Sequence, residues 1–404
     1  MRSILILTQY YPPETGAPQN RLSSLARHLK ALGMDVTVLT AMPNYPAMRV
    51  MEGYKGKWHV KEQLDGITIH RSWIYAKKTT GIFLRLLNYF SFVFSASVVG
   101  LFNIRKHDVI ICESPPLFLG IAALMIKLFK RSKLVCNVSD LWPESAEKLG
   151  IVTNKFFLKL AYGLEAWLYK RSALVSGQTQ GIVQSVSTRF PGTKTFWLPN
   201  GIDIKQQQLD TTWRQLNGFG DADFIILYAG ILGHAQALEV ILKAAALVKE
   251  DGNIKFVLVG DGPQKAALHA LKEELQLSNV YFFPNTPASK MPPIIHASNA
   301  AVVPLKNIPL FKGAIPSKIF ENLAASKPIL LGVDGEAKEL FINKGNCGIF
   351  FTPEDEVELA EAIQKLKNNS SLCKELGTNG AEYVRTYFDR KKIAADFYSQ
   401  LQEL

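Results

Sequence analysis

Cysteine is scarce in this chain of 404 residues: four, at positions 112, 136, 347 and 373, with no C-x-x-C pair. No histidine stands at ligand spacing from any of them, so neither a structural zinc site nor a disulfide framework is indicated, and a reducing cytoplasm fits. Carboxylates do not gather at metal-ligand spacing either, and no obligatory metal is expected. The opening Met1-Arg-Ser-Ile-Leu-Ile-Leu-Thr8 carries no cleavable leader or transit pattern and runs straight into a strand-like segment. The longest uncharged stretch, Leu86 to Ile104, has only 19 residues, at the lower edge of spanning length. No compact nucleic-acid recognition motif accompanies the basic residues, so no nucleic acid partner is expected.

What the chain does have is an apolar fraction of 48%, ample for two domains of about 200 residues each. Its formal charge of +11 is unevenly spread. Residues 1–200 hold 25 Lys and Arg against 11 Asp and Glu, or +14, whereas the remainder holds 21 against 24, or −3. A basic first half points to an anionic partner such as a membrane surface.

Short apolar runs alternate with helical stretches in both halves. Residues 3–8 read as a buried parallel strand, a helix follows from about Gln19 to Leu32, and Val36 to Thr40 forms the next strand, a βαβ unit. Val109 to Cys112 and Lys133 to Val138 continue the series. After Leu198-Pro-Asn-Gly-Ile-Asp203 the pattern restarts with strands at 224–228, 255–259, 280–283, 300–303 and 328–332 and helices at 238–250 and 264–274. The expected fold is therefore α/β, with two doubly wound Rossmann-like domains facing a central cleft. Residues 1–200 form the first domain, 201–388 the second, and 389–404 a terminal helix free to pack back on the first. The domains are not sequence repeats of each other.

Ligands of such sheets bind outside the carboxyl ends of the strands. The loops there are 14–18, 139–145, 230–236, 260–263, 284–287 and 312–318. Gly16, the pair Gly230 and Gly233, and the turn Gly260-Asp261-Gly262 let backbone come close to a ligand, although short glycine pairs are also common in turns. The most informative stretch is Lys312-Gly-Ala-Ile-Pro-Ser-Lys-Ile-Phe-Glu321. Pro316 suits a first helical position, and the unpaired N–H groups at a helix start favour a phosphate. Lys318 adds a positive charge, and Glu321, one turn on, is placed to accept hydrogen bonds from the two hydroxyls of a ribose. An amphipathic helix with a solvated Lys and Glu accounts for the same residues.

Taken together, Tyr10-Tyr-Pro-Pro-Glu-Thr-Gly16, Asp140-Leu-Trp-Pro-Glu-Ser145, Leu198-Pro-Asn-Gly-Ile-Asp203, Tyr228-Ala-Gly230, Gly260-Asp-Gly-Pro263 and Pro316-Ser-Lys-Ile-Phe-Glu321 resemble retaining glycosyltransferases of family 4, over nearly the whole chain. The subgroup most similar adds N-acetyl-L-fucosamine or a related deoxyamino sugar to lipid-linked O-antigen and capsule intermediates. The resemblance implies the GT-B fold, a nucleotide-sugar donor, with UDP expected, and a polyprenyl-diphosphate-linked glycan acceptor. Glu321 then corresponds to the second glutamate of the family's E-x7-E motif, whose first position is Gly313 here. The contact with the donor sugar would pass to backbone amides of Gly313, Ala314 and Ile315, beside Pro316 and Ser317. Ile231 and Gln236 stand where two basic residues usually hold the diphosphate, which leaves that role to Lys312 and Lys318. Ser139 replaces the family's histidine, and Asp140 becomes the candidate for touching the transferred sugar.

Fixed positive charge around a departing phosphate lowers the barrier to sugar transfer directly, and Lys318 is the candidate for that work. In the front-face route proposed for such enzymes the leaving phosphate accepts the acceptor's proton, so no separate base is required. For Asp140, Trp142 and Glu144 a capped turn with a packed indole is the alternative, and Glu14 and Gly16 share that ambiguity; Asp203 fits a simple turn. Two other functions share the pattern: a non-hydrolysing sugar-nucleotide epimerase, and a catalytically silent membrane-binding subunit. Leu86 to Ile104 is flanked by Lys77, Lys78, Arg85, Arg105 and Lys106 and reads as a core helix, an in-plane helix or a span. Its serines and asparagines weaken the last. Lys155 to Arg171 and Leu117 to Lys133 also combine apolar faces with cationic ends, as peripheral attachment to the inner face of a membrane requires.

Overall fold

The structure, a computed structural model, describes residues 3–14, 16–45, 47–77, 82–204 and 212–404, without the side chains of Ile82, Phe83 and Arg85. Thr15, Lys78 and the Arg85 side chain, all cited above, lie outside the described residues. The chain divides into two compact units, Met1–Asn200 with Arg390–Leu404, and Gly201–Asp389. Helices run α1 (Ala17–Ala31), α2 (Ile82–Phe102), α3 (Leu119–Lys130), α4 (Glu144–Lys148), α5 (Lys155–Arg171), α6 (Gln180–Arg189), α7 (Trp213–Leu216), α8 (Glu239–Leu247), α9 (Lys265–Glu274), α10 (Pro292–Ala297), α11 (Lys318–Ala324), α12 (Glu336–Lys338), α13 (Glu356–Asn368), α14 (Ser370–Tyr387) and α15 (Arg390–Gln402).

In the first unit, β1 (Ser3–Leu7), β2 (Asp35–Ala41), β3 (His59–Leu64), β4 (Ile67–Ser72), β5 (Val109–Ser114), β6 (Lys133–Val138), β7 (Leu174–Gly177) and β8 (Thr195–Trp197) form one sheet in the order β3-β4-β2-β1-β5-β6-β7-β8. Every neighbouring pair is parallel except β3 with β4. That hairpin turns on Asp65-Gly66, both at positive φ, the two-residue chemistry that suits a right-twisted pair. Parallel strands covered on both faces need apolar residues at every position, and Ile4 to Leu7 are at most 1% exposed.

Helices α2, α3 and α5 cover one face of this sheet, while α1 and α15 cover the other through Leu22, Leu29, Phe397 and Leu401. The terminal helix thus packs against α1 within the first unit. Arg390, its first residue, donates from Nε to the carbonyl of Asn200 (3.0 Å), joining the two points where the chain leaves and re-enters this unit.

The stretch Leu86 to Ile104 is a half-buried helix, and among the described residues no helix is long and apolar enough to cross a membrane. Its polar residues Asn88, Ser91, Ser95 and Ser97 face inward, whereas Asn103 is exposed. Asn88 accepts from Gln9 (3.0 Å) and donates to the carbonyl of Tyr75 (2.7 Å), Ser91 accepts from the Tyr75 amide (2.9 Å), and Ser95 bonds Ser72 (3.1 Å). Side chains that weaken a span in the sequence therefore anchor the helix to strand ends, and Leu87, Phe90, Phe94 and Phe102 are exposed instead.

In the second unit, β9 (Phe224–Ala229), β10 (Ile254–Val259), β11 (Val280–Phe283), β12 (Ala300–Pro304), β13 (Ile329–Gly332) and β14 (Gly348–Phe350) form an all-parallel sheet in the order β11-β10-β9-β12-β13-β14. The strand order changes direction between β9 and β12, the place where such sheets hold ligands.

Candidate functional site

The loop after β12 leads into α11 and the loop after β9 opens on Gly230, so the switch point brings together residues 90 apart in the chain. Helix α11 buries Ile319, Phe320, Asn322 and Leu323, which leaves Lys318 partly buried and Glu321 exposed. The Lys318 ammonium lies 3.7 Å from the centre of the Tyr228 ring, a cation–π contact, and the Tyr228 hydroxyl donates to the carbonyl of Ile231 (2.7 Å), which fixes the ring. Burial pulls the Lys318 ammonium down to about 7, and the attraction of Glu321 offsets only part of that. A lysine so placed gains from any anion that reaches it. Tyr228, absent from the sequence reading of the site, is the residue that aims Lys318. Its position in Tyr228-Ala-Gly230 was visible, but its partner was not.

Gly230 sits at φ +146°, and a Cβ there would lie 2.8 Å from the Lys318 nitrogen. Glycine is needed both for the backbone and for the lysine. Gly260, at φ +153°, would place a Cβ 1.9 Å from the Gly230 carbonyl oxygen, and one on Gly262 would lie 2.4 Å from that of Leu232. The glycines of the 260–262 turn, expected to let backbone approach a ligand, admit the backbone of the neighbouring loop. Hydrogen bonds from Gly230 N to Val259 O and from Leu232 N to Asp261 O, each 2.9 Å, lock the two loops. Asp261 also turns inward to its own loop, accepting from Gly262 N (3.0 Å) and pairing with Lys265 (3.6 Å). Gly233 is extended and faces the Gln236 side chain. Gly260→Ala should destabilise the second unit by about 2–3 kcal/mol, read by denaturant unfolding, whereas Gly313→Ala, in open space, should change stability by less than about 0.5 kcal/mol.

Two further expectations, the helix start and the Ala314 amide, are revised around α11. The helix opens at Lys318 with Ser317 at the N-cap, two residues later than the Pro316 start, because Ile319 N and Phe320 N close tight turns on Pro316 O (3.1 Å) and Ser317 O (3.2 Å). The amide of Ala314 is already bonded to Phe311 O (3.0 Å), so it is not an available donor for a sugar. Lys312 is mostly exposed and pairs with Asp334 (3.7 Å), while Gly335, at φ +84°, packs against its carbonyl. Asp334, which the sequence reading passed over, lies in the loop after β13. Ile315 is partly buried and Glu321 exposed.

In the first unit Asp140 follows β6. Its carboxylate accepts from Ser145 Oγ (2.8 Å), and burial pushes its pKa up, with that bond and one from the Leu141 backbone acting against the rise. Trp142 packs edge-on to Phe118 (5.4 Å) and Phe157 (6.4 Å), and Glu144 pairs with Lys148 (2.5 Å). The packed indole is thus present, whereas α4 opens on Pro143 with no side-chain cap bond; the Asp140 carboxylate is tied to its own loop through Ser145 instead. Ser139 is drawn into a buried network instead: it bonds Glu113, Arg21 (2.9 Å) and Gln178 (3.1 Å), and Glu113 also pairs with Arg21 and accepts from Asn137 (2.6 Å). Glu14 is 3% exposed and accepts from the amides of Tyr11, Asn44 and Tyr45 at 2.6–3.2 Å, so it ties loops together. Gly16 caps α1 without a side-chain bond. Among the described residues no three His, Cys, Asp or Glu side chains group as metal ligands do.

Comparison with known proteins matches residues 16–201 to a glycosyl transferase 4-like domain and residues 210–383 to the glycosyl transferases group 1 domain. A chain of Escherichia coli (strain K12) described as a colanic acid biosynthesis glycosyl transferase, WcaI, is 25% identical over 418 aligned positions, covering 99% of both chains. The solved structure of Anabaena Alr3699/HepE in complex with UDP-glucose shares the fold at a TM-score of 0.74 and 18% identity, over all of both chains. WaaG, a glycosyltransferase involved in lipopolysaccharide biosynthesis, does so at 0.69 and 17%, over 98% of this chain and 99% of its own. Both sheets with their flanking helices have the Rossmann-like form of GT-B proteins.

Proposed function

We propose that this chain, a glycosyltransferase built from a 4-like domain followed by a group 1 domain, moves a deoxyamino sugar such as N-acetyl-L-fucosamine from UDP to a polyprenyl-diphosphate-linked glycan during O-antigen or capsule synthesis, with retention. The observation that carries the reading is Lys318 held over Tyr228 at the switch point, with Glu321 one turn along. The likeness to WcaI supports a polysaccharide pathway, and the UDP-glucose complex of HepE supports the donor's base.

In this scheme the donor's diphosphate meets Lys318 and its ribose hydroxyls donate to the Glu321 carboxylate. The bond from the sugar's anomeric carbon to the phosphate oxygen breaks with both electrons going to that oxygen, and the ammonium stabilises the charge as it gathers. The acceptor hydroxyl forms the new bond on the same face, and its proton passes to the departing phosphate. Asp140 is assigned the contact with the transferred sugar. Lys318 supplies the positive charge, so transfer should survive a chelator.

The test is product formation from a panel of UDP-sugars with a lipid-diphosphate sugar as acceptor. Glu321→Ala should cut kcat/KM at least about tenfold, mostly through the donor's KM. Unchanged kinetics would remove Glu321 from the site. Donor converted to its epimer without acceptor would instead identify an epimerase. The strongly basic first half supports a working position on the inner face of an anionic membrane, where a lipid-linked acceptor resides.

A further inference from the structure

We infer that the outward face of the α2–α3–α5 layer docks on an anionic bilayer and continues, through one aromatic cluster, to the Asp140 loop. Helices α2, α3 and α5 bury one side against the same face of the first sheet, so their exposed sides share a direction. On α5 the exposed apolar residues Phe156, Leu160 and Trp167 recur at helical spacing in a single stripe. On α2 Phe90 and Phe94 lie one turn apart on an exposed edge and Phe102 is exposed at the helix end, and α3 adds Leu128 and Phe129 at 75% and 69% exposure. A monomer seldom leaves so much aromatic surface to water without a use for it. The indoles of Trp58 and Trp73 stack at 5.9 Å, and Trp58 meets Phe94 edge-on at 6.1 Å, giving the α2 edge the amphipathic rings that favour a lipid headgroup level.

Charge selects the occupant. The exposed charged side chains of these helices, among the described residues, are cationic, as at Lys155, Lys159, Lys170 and Arg171. Their one acid, Glu165, is fully buried against Arg189. The nearby acids Glu144 and Glu147 are bonded to Lys148 and Tyr162. A second copy of this face would set cations against cations, whereas phosphatidylglycerol headgroups would neutralise them. From Phe90 the apolar surface runs inward: Phe90 lies 4.8 Å from Phe118, and Phe118 5.4 Å from Trp142, two residues from Asp140. A docked first unit thereby presents the Asp140 loop beside the bilayer surface, where a lipid-linked acceptor carries its diphosphate. This last clause rests on the transferase reading; the docking does not.

Flotation of the full chain with phosphatidylcholine vesicles, with and without phosphatidylglycerol, tests it. The chain should bind the anionic vesicles, weaken with salt, and lose about tenfold or more in partitioning on Phe94→Glu combined with Phe156→Glu, while melting and UDP titration stay unchanged. Equal binding by variant and parent, or no binding by the parent, overturns the inference, as does self-association that the same substitutions abolish. Vesicle binding without any nucleotide binding would keep the docking face and defeat the transferase reading instead.

Discussion

Replacing Lys318 with methionine lowers kcat/KM for sugar transfer about a hundredfold or more, the loss expected when one fixed positive group at a site of developing charge is removed. Methionine keeps the stem against Tyr228, so the fold should persist. The loss should appear in kcat as well as in donor binding, because charge on the phosphate grows toward the transition state. The same ammonium sets a pH dependence. In the free protein it titrates near 7, and a bound diphosphate raises that value, so donor affinity is flat below about pH 7 and falls as pH rises above it, at most about tenfold per unit. Titration between pH 6 and 9 reads the slope. Lys318→Met should abolish it, and an unchanged slope would assign the titration to another group.

Arg21→Ala should destabilise the first unit by about 3–5 kcal/mol, since it strands the Glu113 carboxylate where both partners are 4% exposed. Ser139 and Asn137 still bond Glu113, but neither carries charge. Denaturant unfolding followed at the first transition measures the loss. The double replacement Arg21→Met with Glu113→Leu should recover a large part of it, because an apolar pair needs no compensation. If the single and double variants unfold alike, the ion pair is not what holds α1 to the ends of β5 and β6.

Both sheets were legible because parallel strands buried on two faces write themselves as apolar runs, as in Ile4 to Leu7 and Phe256 to Val259. Strands β8 and β14, of three residues, are too short to show a period, and β7 offers only Leu174 and Val175 before Ser176 and Gly177. The β3–β4 hairpin was missed although Asp65-Gly66 signals such a turn, because β3 is only partly buried and its alternation is weak. Lys318 and Glu321 are candidates that local helix chemistry alone picks out. Tyr228 is not one, because its contact with Lys318 exists only once the strand order places β9 beside β12. Glycines at 230, 260 and 262 showed that something approaches closely, and only coordinates show that at 260 and 262 the visitor is the next loop. In α2 the inward turn of Asn88, Ser91 and Ser95 was equally hidden, since their partners lie on distant strand ends.

The central claim is that the donor's diphosphate rests on Lys318. Calorimetric titration of UDP at pH 8, in two buffers of different ionisation enthalpy, counts the protons taken up on binding. At that pH the terminal phosphate is already ionised and Lys318 is mostly neutral in the free protein. The account predicts uptake approaching one proton, absent in Lys318→Met; binding without uptake, or the same uptake in the variant, would contradict it.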